Sequence, residues 1–261
     1  MTEIDLAPSD SLREVYELRG AQYAQPVVPD PALDRKFAVL CEEIRALLPA
    51  GAFLDAGCGD GRFLAALPTL GPVPARVVGV DIADSILATA RSAAATAGLH
   101  PELVRGNLER LPLGDSEFDL VVSIQVLEHL LDPAAGVREL ARVLRPGGTL
   151  LLSTDNSARR LTQLLNGPRW LVAGLLGKRN HRVTLHFPHR TFSRREVVEL
   201  LEGAGLVVER TRTFRFSLVG ASPRARRLLN RIDARLPDLG IGDILVAVAR
   251  RADVVRKTDI R

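Results

Sequence analysis

Apolar and polar positions follow two alternating patterns along the chain from Gly51 onward. Short runs of Val, Ile and Leu bounded by turn residues are typical of strands buried on both faces, and the longer segments between them carry apolar residues at helical spacing. The alternation predicts an α/β fold in which helices cover both faces of a parallel sheet. The predicted strands are Ala52–Ala56, Arg76–Val80, Glu102–Arg105, Phe118–Ser123, Thr149–Ser153, Leu206–Phe214 and Asp243–Ala249, and the predicted helices are Gly61–Leu67, Ser85–Ala97, Pro133–Val143 and Arg194–Ala204.

Helix ends carry their own signals. Ser193 is followed three residues later by Glu196, which is the pattern of a capping box and predicts a helix start. Gly98, Gly147 and Gly205 each follow a predicted helix. Because glycine is favoured where a helix ends in the left-handed conformation, we predict helix exits at these three positions.

Two segments depart from the alternation. Residues 1–49 are predicted to form a helical cap on the sheet, ending in a helix over Ala32–Leu48. Residues 156–191 are longer than an ordinary strand-to-helix connection, and such extensions usually shape a substrate site. We therefore predict a single domain over residues 1–261, with an N-terminal cap and a substrate-side insertion at 156–191.

Composition narrows the class of protein. With 261 residues and 46% hydrophobic content, the chain can bury a substantial core, which argues against overall disorder. Apolar runs such as Trp170–Leu176 fall short of the roughly 20 residues that a bilayer crossing needs. Met1–Asp10 lacks the basic and apolar stretches of a secretory signal, and the two cysteines, Cys41 and Cys58, do not suggest a disulfide framework. A cytoplasmic protein is expected.

Charge gives little support for a nucleic-acid partner. The formal net charge is only +4, and a surplus of arginine does not by itself imply nucleic acid. A basic run near the C-terminus has no interleaved aromatic residues, so it is interpreted as a solvated helix face rather than an RNA site. The run consists of Arg224, Arg226, Arg227, Arg231 and Arg235. Oligomeric state is not predicted.

A glycine-rich loop is the first candidate for chemistry. Asp55 ends an apolar strand, and Gly57, Gly59 and Gly61 follow it directly before a helix. Glycines allow positive φ angles and close backbone approach, and the start of the helix offers unpaired N–H groups. The loop predicts a site for a small anionic or zwitterionic ligand, although a tight turn alone also uses glycines.

A second carboxylate strengthens this prediction. Asp81 ends the next apolar strand, 20 residues after Gly61. In a doubly wound sheet the second strand lies beside the first, so Asp81 would stand where a ribose presents two hydroxyl groups.

At this point the sequence resembles the class I methyltransferase superfamily, especially its ubiquinone/menaquinone-biosynthesis-like branch. The resemblance covers Gly51 to about Ser153 through five ordered motifs. It implies a Rossmann-like three-layer sandwich with a seven-stranded, mostly parallel sheet and an antiparallel last strand. The motifs are Leu54–Gly61, Val80-Asp81, Asn107-Leu108 with Leu111-Pro112, Phe118–Ser123 with Leu127–Leu130, and Leu144–Gly148.

The resemblance also implies S-adenosyl-L-methionine as the cofactor. The family pattern assigns Asp55, Gly57 and Gly59 to its methionine end and Asp81 to its ribose. Ile82 would pack on the adenine, where Asn107 replaces the usual aspartate but keeps an acceptor oxygen. Ser123 and Gln125 would border the sulfonium. The full set of implied cofactor residues is Asp55, Ala56, Gly57, Gly59, Gly61, Asp81, Ile82, Asn107, Leu108, Ser123 and Gln125.

Catalytic and metal-binding residues are less well specified. For an oxygen nucleophile, His129 is a candidate base, and the alternative is a structural histidine beneath the site. Some relatives bind magnesium through Glu-x-x-Glu-His, but Gln125 replaces the first carboxylate here, so no metal is predicted.

Candidate substrate residues lie in the cap and the insertion. Tyr16 and Tyr23 belong to the cap, and His186 and His189 precede the Thr191-Phe192-Ser193 helix start. The apolar segment Leu161–Leu176, with Trp170 and basic flanks, suits either a membrane surface and a lipid-like acceptor or a lid that packs on the protein's own sheet.

Three functions are consistent with these patterns. The first is a methyltransferase that acts on a small-molecule, lipid-like or quinone-like acceptor. The second is a nicotinamide-dependent dehydrogenase, which shares the loop and the ribose carboxylate but would have Gly-x-Gly-x-x-Gly. The third is a module that binds the cofactor without catalysis. Oxygen, nitrogen and carbon acceptors remain open.

Overall fold

The computed structural model describes residues 34–158, 190–214 and 238–253, together with Arg13, Glu14, Tyr16, Glu17, Arg224, Arg227, Leu228 and Arg231. Within these residues the helices are α1 (Arg35–Leu47), α2 (Arg62–Leu70), α3 (Asp84–Thr96), α4 (Pro133–Val143) and α5 (Arg194–Gly203). The strands are β1 (Ala52–Ala56), β2 (Arg76–Asp81), β3 (Glu102–Arg105), β4 (Phe118–Ile124), β5 (Leu144–Asp155), β6 (Leu206–Phe214) and β7 (Ile244–Arg251).

The strands form one seven-stranded sheet in the order β3-β2-β1-β4-β5-β7-β6. Strands β1 to β5 pair in parallel, whereas β7 runs antiparallel to both β5 and β6. The expected Rossmann-like sheet with an antiparallel last strand is confirmed. Because β1 has β2 on one side and β4 on the other, the connections change direction beside β1, which is where open α/β sheets bind ligands.

The side chains of successive strand residues point to opposite faces of the sheet. Leu54 packs in a core with Leu140 of α4 and Leu201 of α5. Its neighbour Phe53 packs in the other core with Leu40 of α1 and with residues of α2 and α3. The near-continuous apolar runs of the strands are therefore explained by burial on both sides.

The element bounds follow the sequence patterns closely, with one wrong prediction. Gly98 and Gly205 adopt φ values of +74° and +79° just after α3 and α5, which confirms them as helix exits. Gly147 is not a helix exit. Helix α4 ends at Val143, and the next residue, Leu144, is already extended.

Gly147 instead lies inside β5, with a φ of +75°. The pairing of β4 with β5 jumps from Phe118–Leu144 to Leu120–Thr149, so the glycine serves a bulge that begins the strand. Strand β5 consequently starts at Leu144, five residues before the predicted Thr149.

Helix α5 begins as predicted. The Ser193 side chain accepts a hydrogen bond from the Glu196 backbone N–H, and the Glu196 carboxylate accepts one from the Ser193 N–H at 2.7 Å. Both halves of the capping box are present, so two backbone donors at the helix start are satisfied locally.

Helix α1 is fixed to the edge of the sheet by a buried charge. The Glu43 carboxylate pairs with Arg210 at 2.6 Å and with Arg212 at 2.9 Å, and both arginines belong to β6. The Glu43 side chain is only 5% exposed, whereas the arginines keep contact with water. Two cations therefore compensate one buried carboxylate, as burial of an ion requires.

The two ends of the insertion meet at Asn156, which is 1% exposed. Its side-chain N–H groups donate to the carbonyl oxygens of Gly240 at 3.0 Å and Gly242 at 2.7 Å. The Ser157 N–H donates to the Phe192 carbonyl oxygen at 2.9 Å, so the chain returns beside the point where it left. These hydrogen bonds hold residues 156 and 192 side by side at the end of the sheet.

Candidate cofactor and active site

A cavity of about 390 Å³ lies at the carboxyl ends of β1, β2 and β4. Its position at the change of strand direction is the one expected for a ligand site, and its volume falls in the range of small-molecule pockets. Predicted site residues that line it are Tyr16, Asp55, Gly57, Gly59, Asp81, Ile82, Asn107, Leu108, Gln125 and His129.

The glycine loop crosses from β1 to the end of β2. The N–H groups of Gly57 and Cys58 both donate to the Val80 carbonyl oxygen, at 2.8 and 2.9 Å. Gly57 has a φ of +84°, and a Cβ at this position would lie 2.4 Å from a methyl group of Val126. Gly59 has a φ of +53°, with no atom within 4 Å of the corresponding position. Gly57 is therefore required for packing, whereas Gly59 leaves space in the cavity.

Asp81 anchors the loop from the neighbouring strand. Its carboxylate accepts hydrogen bonds from the N–H groups of Gly59 at 3.0 Å and Ala83 at 3.2 Å. Burial raises the pKa of the Asp81 carboxyl, and these backbone donors act in the opposite direction. These two hydrogen bonds hold the Asp81 carboxylate in place at the wall of the cavity.

Asp55 is the most strongly perturbed carboxyl group of the cavity. It is 1% exposed, and one of its oxygens, Oδ2, has no hydrogen-bond partner in the described structure. Burial raises the pKa of Asp55 to about 8, and the negative charges of Asp81 and Asp60 add to the effect. An unpaired acceptor at this depth is compensated when a ligand supplies a donor or a positive charge.

Gln125 adds an unpaired donor to the same cavity. It follows β4 with a φ of +57°, a left-handed conformation that is uncommon for a residue with a side chain. Its N–H donates to the Ser153 carbonyl oxygen at 2.9 Å, while the side-chain Nε2 is buried without a partner among the described residues. Such a backbone outlier beside an orphaned polar group is typical of a binding site.

The far end of the cavity is formed by the turn after β3. The Asn107 Oδ1 accepts a hydrogen bond from the Glu109 N–H at 2.9 Å, and Leu108 is 5% exposed beside it. Ile82 lines the cavity from the end of β2. Because a side-chain carbonyl oxygen carries two lone pairs, Asn107 retains acceptor capacity after closing its own turn.

Two described residues of the N-terminal segment, Tyr16 and Glu17, lie near the cavity. Tyr16 and His129 both line it, and their rings meet edge to face with centroids 6.1 Å apart. The next residue, Glu17, accepts hydrogen bonds from the N–H groups of Asp84 at 2.8 Å and Ser85 at 3.1 Å. These contacts satisfy the start of α3 and lower the pKa of Glu17, with the Ser85 interactions as the main cause. Residues 16 and 17 therefore join the β4 side of the cavity to the start of α3.

Several predicted residues do not line the cavity. Ala56 and Ser123 are buried in their strands. Gly61 starts α2 with a φ of +76°, and a Cβ there would lie 2.7 Å from Ala90 of α3. These three positions shape the site through packing. Tyr23, His186, His189 and the segment Leu161–Leu176 lie outside the described residues.

Sequence patterns missed other lining residues. Asp60 pairs with Arg62 through a 2.6 Å contact, and Phe37 and Phe63 bring their rings within 5.3 Å. The Asp60–Arg62 pair could have been found because it lies in the same glycine loop. The remaining missed lining residues include Asp34, Lys36, Ile86 and Val126, for which the sequence gives no local signal. Leu130 also lines the cavity and belongs to the Leu127–Leu130 motif, which assigned it no role.

Glu128, the neighbour of His129, is also buried. It belongs to the short 3₁₀ helix Leu127–His129 and accepts a hydrogen bond from the Thr154 hydroxyl at 2.9 Å. Burial raises the pKa of Glu128 to about 7. The described residues hold no group of three or more His, Cys, Asp and Glu side chains arranged for a metal. None of their helices has the length and apolar run needed to cross a bilayer.

Comparison with known proteins assigns the chain to a family. Residues 54–152 match a family described as "Methyltransferase domain". A Mycolicibacterium smegmatis protein named "Probable S-adenosylmethionine-dependent methyltransferase" is 32% identical over 210 residues, which cover 78% of this chain and 70% of that protein. A "Ubiquinone biosynthesis O-methyltransferase" of Xanthomonas axonopodis pv. citri is 32% identical over 185 residues, or 69% of this chain and 74% of that protein. Other relatives are matched over 42% to 56% of their own length.

Solved structures agree on the fold. A chain of the complex between the Haloferax volcanii Trm112 methyltransferase activator and a methyltransferase superposes with a TM-score of 0.62 at 19% identity. The superposition covers 92% of this chain and 97% of the other. At this identity the similarity supports the fold alone.

Proposed function

Because the chain belongs to the class I S-adenosylmethionine-dependent methyltransferases, we propose that S-adenosylmethionine binds in its cavity. The protein then transfers the methyl group of this cofactor to a small lipid-like or quinone-like acceptor. When bound, S-adenosylmethionine supplies a methyl group already activated on a sulfonium. The protein's own task is to bind, orient and exclude water.

One observation supports the cofactor site most directly. In the part of the chain that the structure describes, the cavity contains a buried acceptor without a partner, Asp55 Oδ2, and a buried donor without a partner, Gln125 Nε2. An amino acid zwitterion carries the complementary ammonium and carboxylate groups. The charge-assisted contacts that it would make are stronger than neutral hydrogen bonds. The residues present therefore fit the methionine end of S-adenosylmethionine.

Other residues extend the fit along the cavity. Asp81 would accept hydrogen bonds from the ribose hydroxyl groups, and Gly59 leaves room for the ligand where a side chain would fill space. Ile82 and Leu108 offer apolar contacts to the adenine, and Asn107 offers an acceptor oxygen. The alternative of a nicotinamide-dependent dehydrogenase lacks support, because the relatives reported above are methyltransferases and Gly57, Gly59 and Gly61 alternate instead.

The acceptor class is proposed from one relative and from the lining of the cavity. The Xanthomonas relative is named for ubiquinone biosynthesis, and the cavity of this chain is lined in part by Phe37, Phe63 and Leu130. Apolar and aromatic side chains with a few polar groups suit a quinone-like or lipid-like molecule. His129 is proposed to receive the proton if the acceptor is a hydroxyl group, since it lines the cavity beside Tyr16.

The cofactor site can be tested by calorimetry. Wild-type protein is expected to bind S-adenosylhomocysteine, and Asp81→Ala is expected to weaken binding at least tenfold through loss of charge-assisted hydrogen bonds, each worth about 1.5–3 kcal/mol. Asp115→Ala is a matched control, because the Asp115 side chain is 74% exposed and far along the chain from the glycine loop. Equal affinities in the wild type and Asp81→Ala would refute the proposed site.

The acceptor requires a separate measurement. Labelled methyl groups from S-adenosylmethionine are expected to enter a lipid or quinone fraction of a cell extract, and identification of the product names the acceptor. Binding of the cofactor with no transfer into any fraction would favour the non-catalytic module instead.

A further inference from the structure

An exposed basic surface lies outside the cavity. Arg224, Arg227, Leu228 and Arg231 are each helical and exposed, and they occur at positions i, i+3, i+4 and i+7. This spacing brings side chains to one face of a helix. The four residues are called the arginine stripe below.

The arginines of the arginine stripe have no acidic partner among the residues that the structure describes. Elsewhere, exposed arginines pair with carboxylates, as Arg145 does with Asp119 at 2.7 Å and Arg195 with Glu199 at 2.7 Å. Among the residues that the structure describes, Arg224, Arg227 and Arg231 form no ion pair with an acidic side chain. Within the described part of the chain, these three guanidinium groups are therefore available to an anion from outside.

An exposed leucine lies among these arginines. Leu228 is 60% exposed, which with Leu239 is the highest value among the large hydrophobic residues described as exposed. The helix therefore presents an apolar side chain between the exposed arginines.

We propose that the arginine stripe docks the protein on an anionic phospholipid surface. Guanidinium groups bind phosphate with two hydrogen bonds, and an apolar side chain among them can enter the boundary between headgroups and acyl chains. Nucleic acid offers the phosphates but no comparable apolar layer. The sequence from Ser217 to Pro237 contains no aromatic residue to stack on a base. Phospholipid therefore complements both the charges and the leucine.

The proposal does not depend on the methyl acceptor. If the acceptor is lipid-like, a point that rests on the proposed function, docking would bring the enzyme to the layer in which the acceptor dissolves. The failure of one proposal leaves the other intact, because vesicle binding and cofactor binding are measured separately on the same protein.

The test is co-sedimentation of the full chain with vesicles at low salt. Wild type is expected to bind vesicles of phosphatidylglycerol and phosphatidylcholine but not phosphatidylcholine alone. The triple variant Arg224→Gln, Arg227→Gln, Arg231→Gln is expected to lose on the order of 100-fold in partition constant, because each basic residue near an anionic surface contributes about fivefold. Leu228→Ser is expected to reduce binding with the charges intact.

A second triple variant removes the same charge from other places. Arg91→Gln, Arg138→Gln and Arg195→Gln lie on three different helices, α3, α4 and α5, and all three arginines are exposed. Retained binding in this control supports a local docking surface. Equal losses in the two triple variants, absence of wild-type binding to the anionic vesicles, or binding to an RNA oligonucleotide in place of vesicles would each overturn the proposal. Unchanged S-adenosylhomocysteine affinity in both triple variants shows that the fold is intact.

Discussion

Replacing Asp55 by asparagine is predicted to stabilise the ligand-free protein while weakening cofactor binding. Asp55 is 1% exposed, and burial raises its pKa from an ordinary value of 3.8 to about 8. Asparagine has almost the same shape and carries no charge at any pH. The substitution therefore measures the free-energy cost of burying an ionisable carboxyl group at this position.

The size and sign of the effect follow from the two pKa values. A raised folded-state pKa contributes stability that is fully present below the unfolded pKa of 3.8 and is lost as pH rises through about 8. Each pH unit in this window changes the free energy of unfolding by about 1.4 kcal/mol. At pH 7 the wild type is thus expected to be less stable than Asp55→Asn by up to about 4 kcal/mol, and the two should converge near pH 4.

Urea unfolding followed by circular dichroism at several pH values measures this difference. Asp115→Asn serves as control, because its side chain is 74% exposed and its removal should not reproduce the pH trend. A constant difference between Asp55→Asn and wild type from pH 4 to pH 8 would refute the pKa reasoning.

The same carboxyl group is predicted to couple ligand binding to proton release. Below pH 8 it is mainly protonated in the free protein, whereas a bound ammonium group favours the ionised form. Calorimetry with S-adenosylhomocysteine in two buffers of different ionisation enthalpy at pH 7 should therefore detect up to about one released proton, which is absent in Asp55→Asn. Identical heats in both buffers would contradict an ammonium contact with Asp55.

Further predictions concern the loop and the cap. Gly57→Ala should destabilise the protein by more than about 2 kcal/mol in urea unfolding, because the new Cβ would lie 2.4 Å from Val126 at a φ of +84°. Gly59→Ala should cost only about 1 kcal/mol but weaken S-adenosylhomocysteine binding, and the opposite ranking of the two variants would be inconsistent with the loop geometry. Glu17→Gln should lower the stability by about 0.3–1 kcal/mol at pH 7, because it removes a negative charge from the start of α3. The Glu17 effect should disappear as pH falls through its lowered pKa, and persistence at acid pH would argue against the contacts at Asp84 and Ser85.

Local patterns predicted much of the fold and part of the site. Strands such as Glu102–Arg105 and the capping box at Ser193 were predictable because their determinants lie within a few residues of one another. The same holds for the glycine loop and for Asp81, both of which line the cavity. Gly147 was misassigned because a positive-φ glycine serves a helix exit and a strand bulge equally well, and only the β4 pairing distinguishes them.

Contacts between distant residues could not be predicted in the same way. Glu17 caps a helix that begins 67 residues later, and Asn156 binds carbonyl oxygens 84 and 86 residues away. A glutamate in a helical segment and an asparagine after a strand are both common, so neither indicates its partner in the sequence. Their partners become identifiable only once the sheet has brought the segments together.

The hydrogen bonds at Asn156 have a consequence for protein engineering. The chain leaves the sheet at Ser157 and returns at Phe192, and the Phe192 carbonyl oxygen is 2.9 Å from the Ser157 nitrogen. The segment between them is therefore attached to the sheet at two neighbouring points. The hydrogen bonds that hold these attachment points are made by described residues on either side of the segment. We therefore predict that the segment between Ser157 and Phe192 can be exchanged to change acceptor specificity, provided that Asn156 is retained.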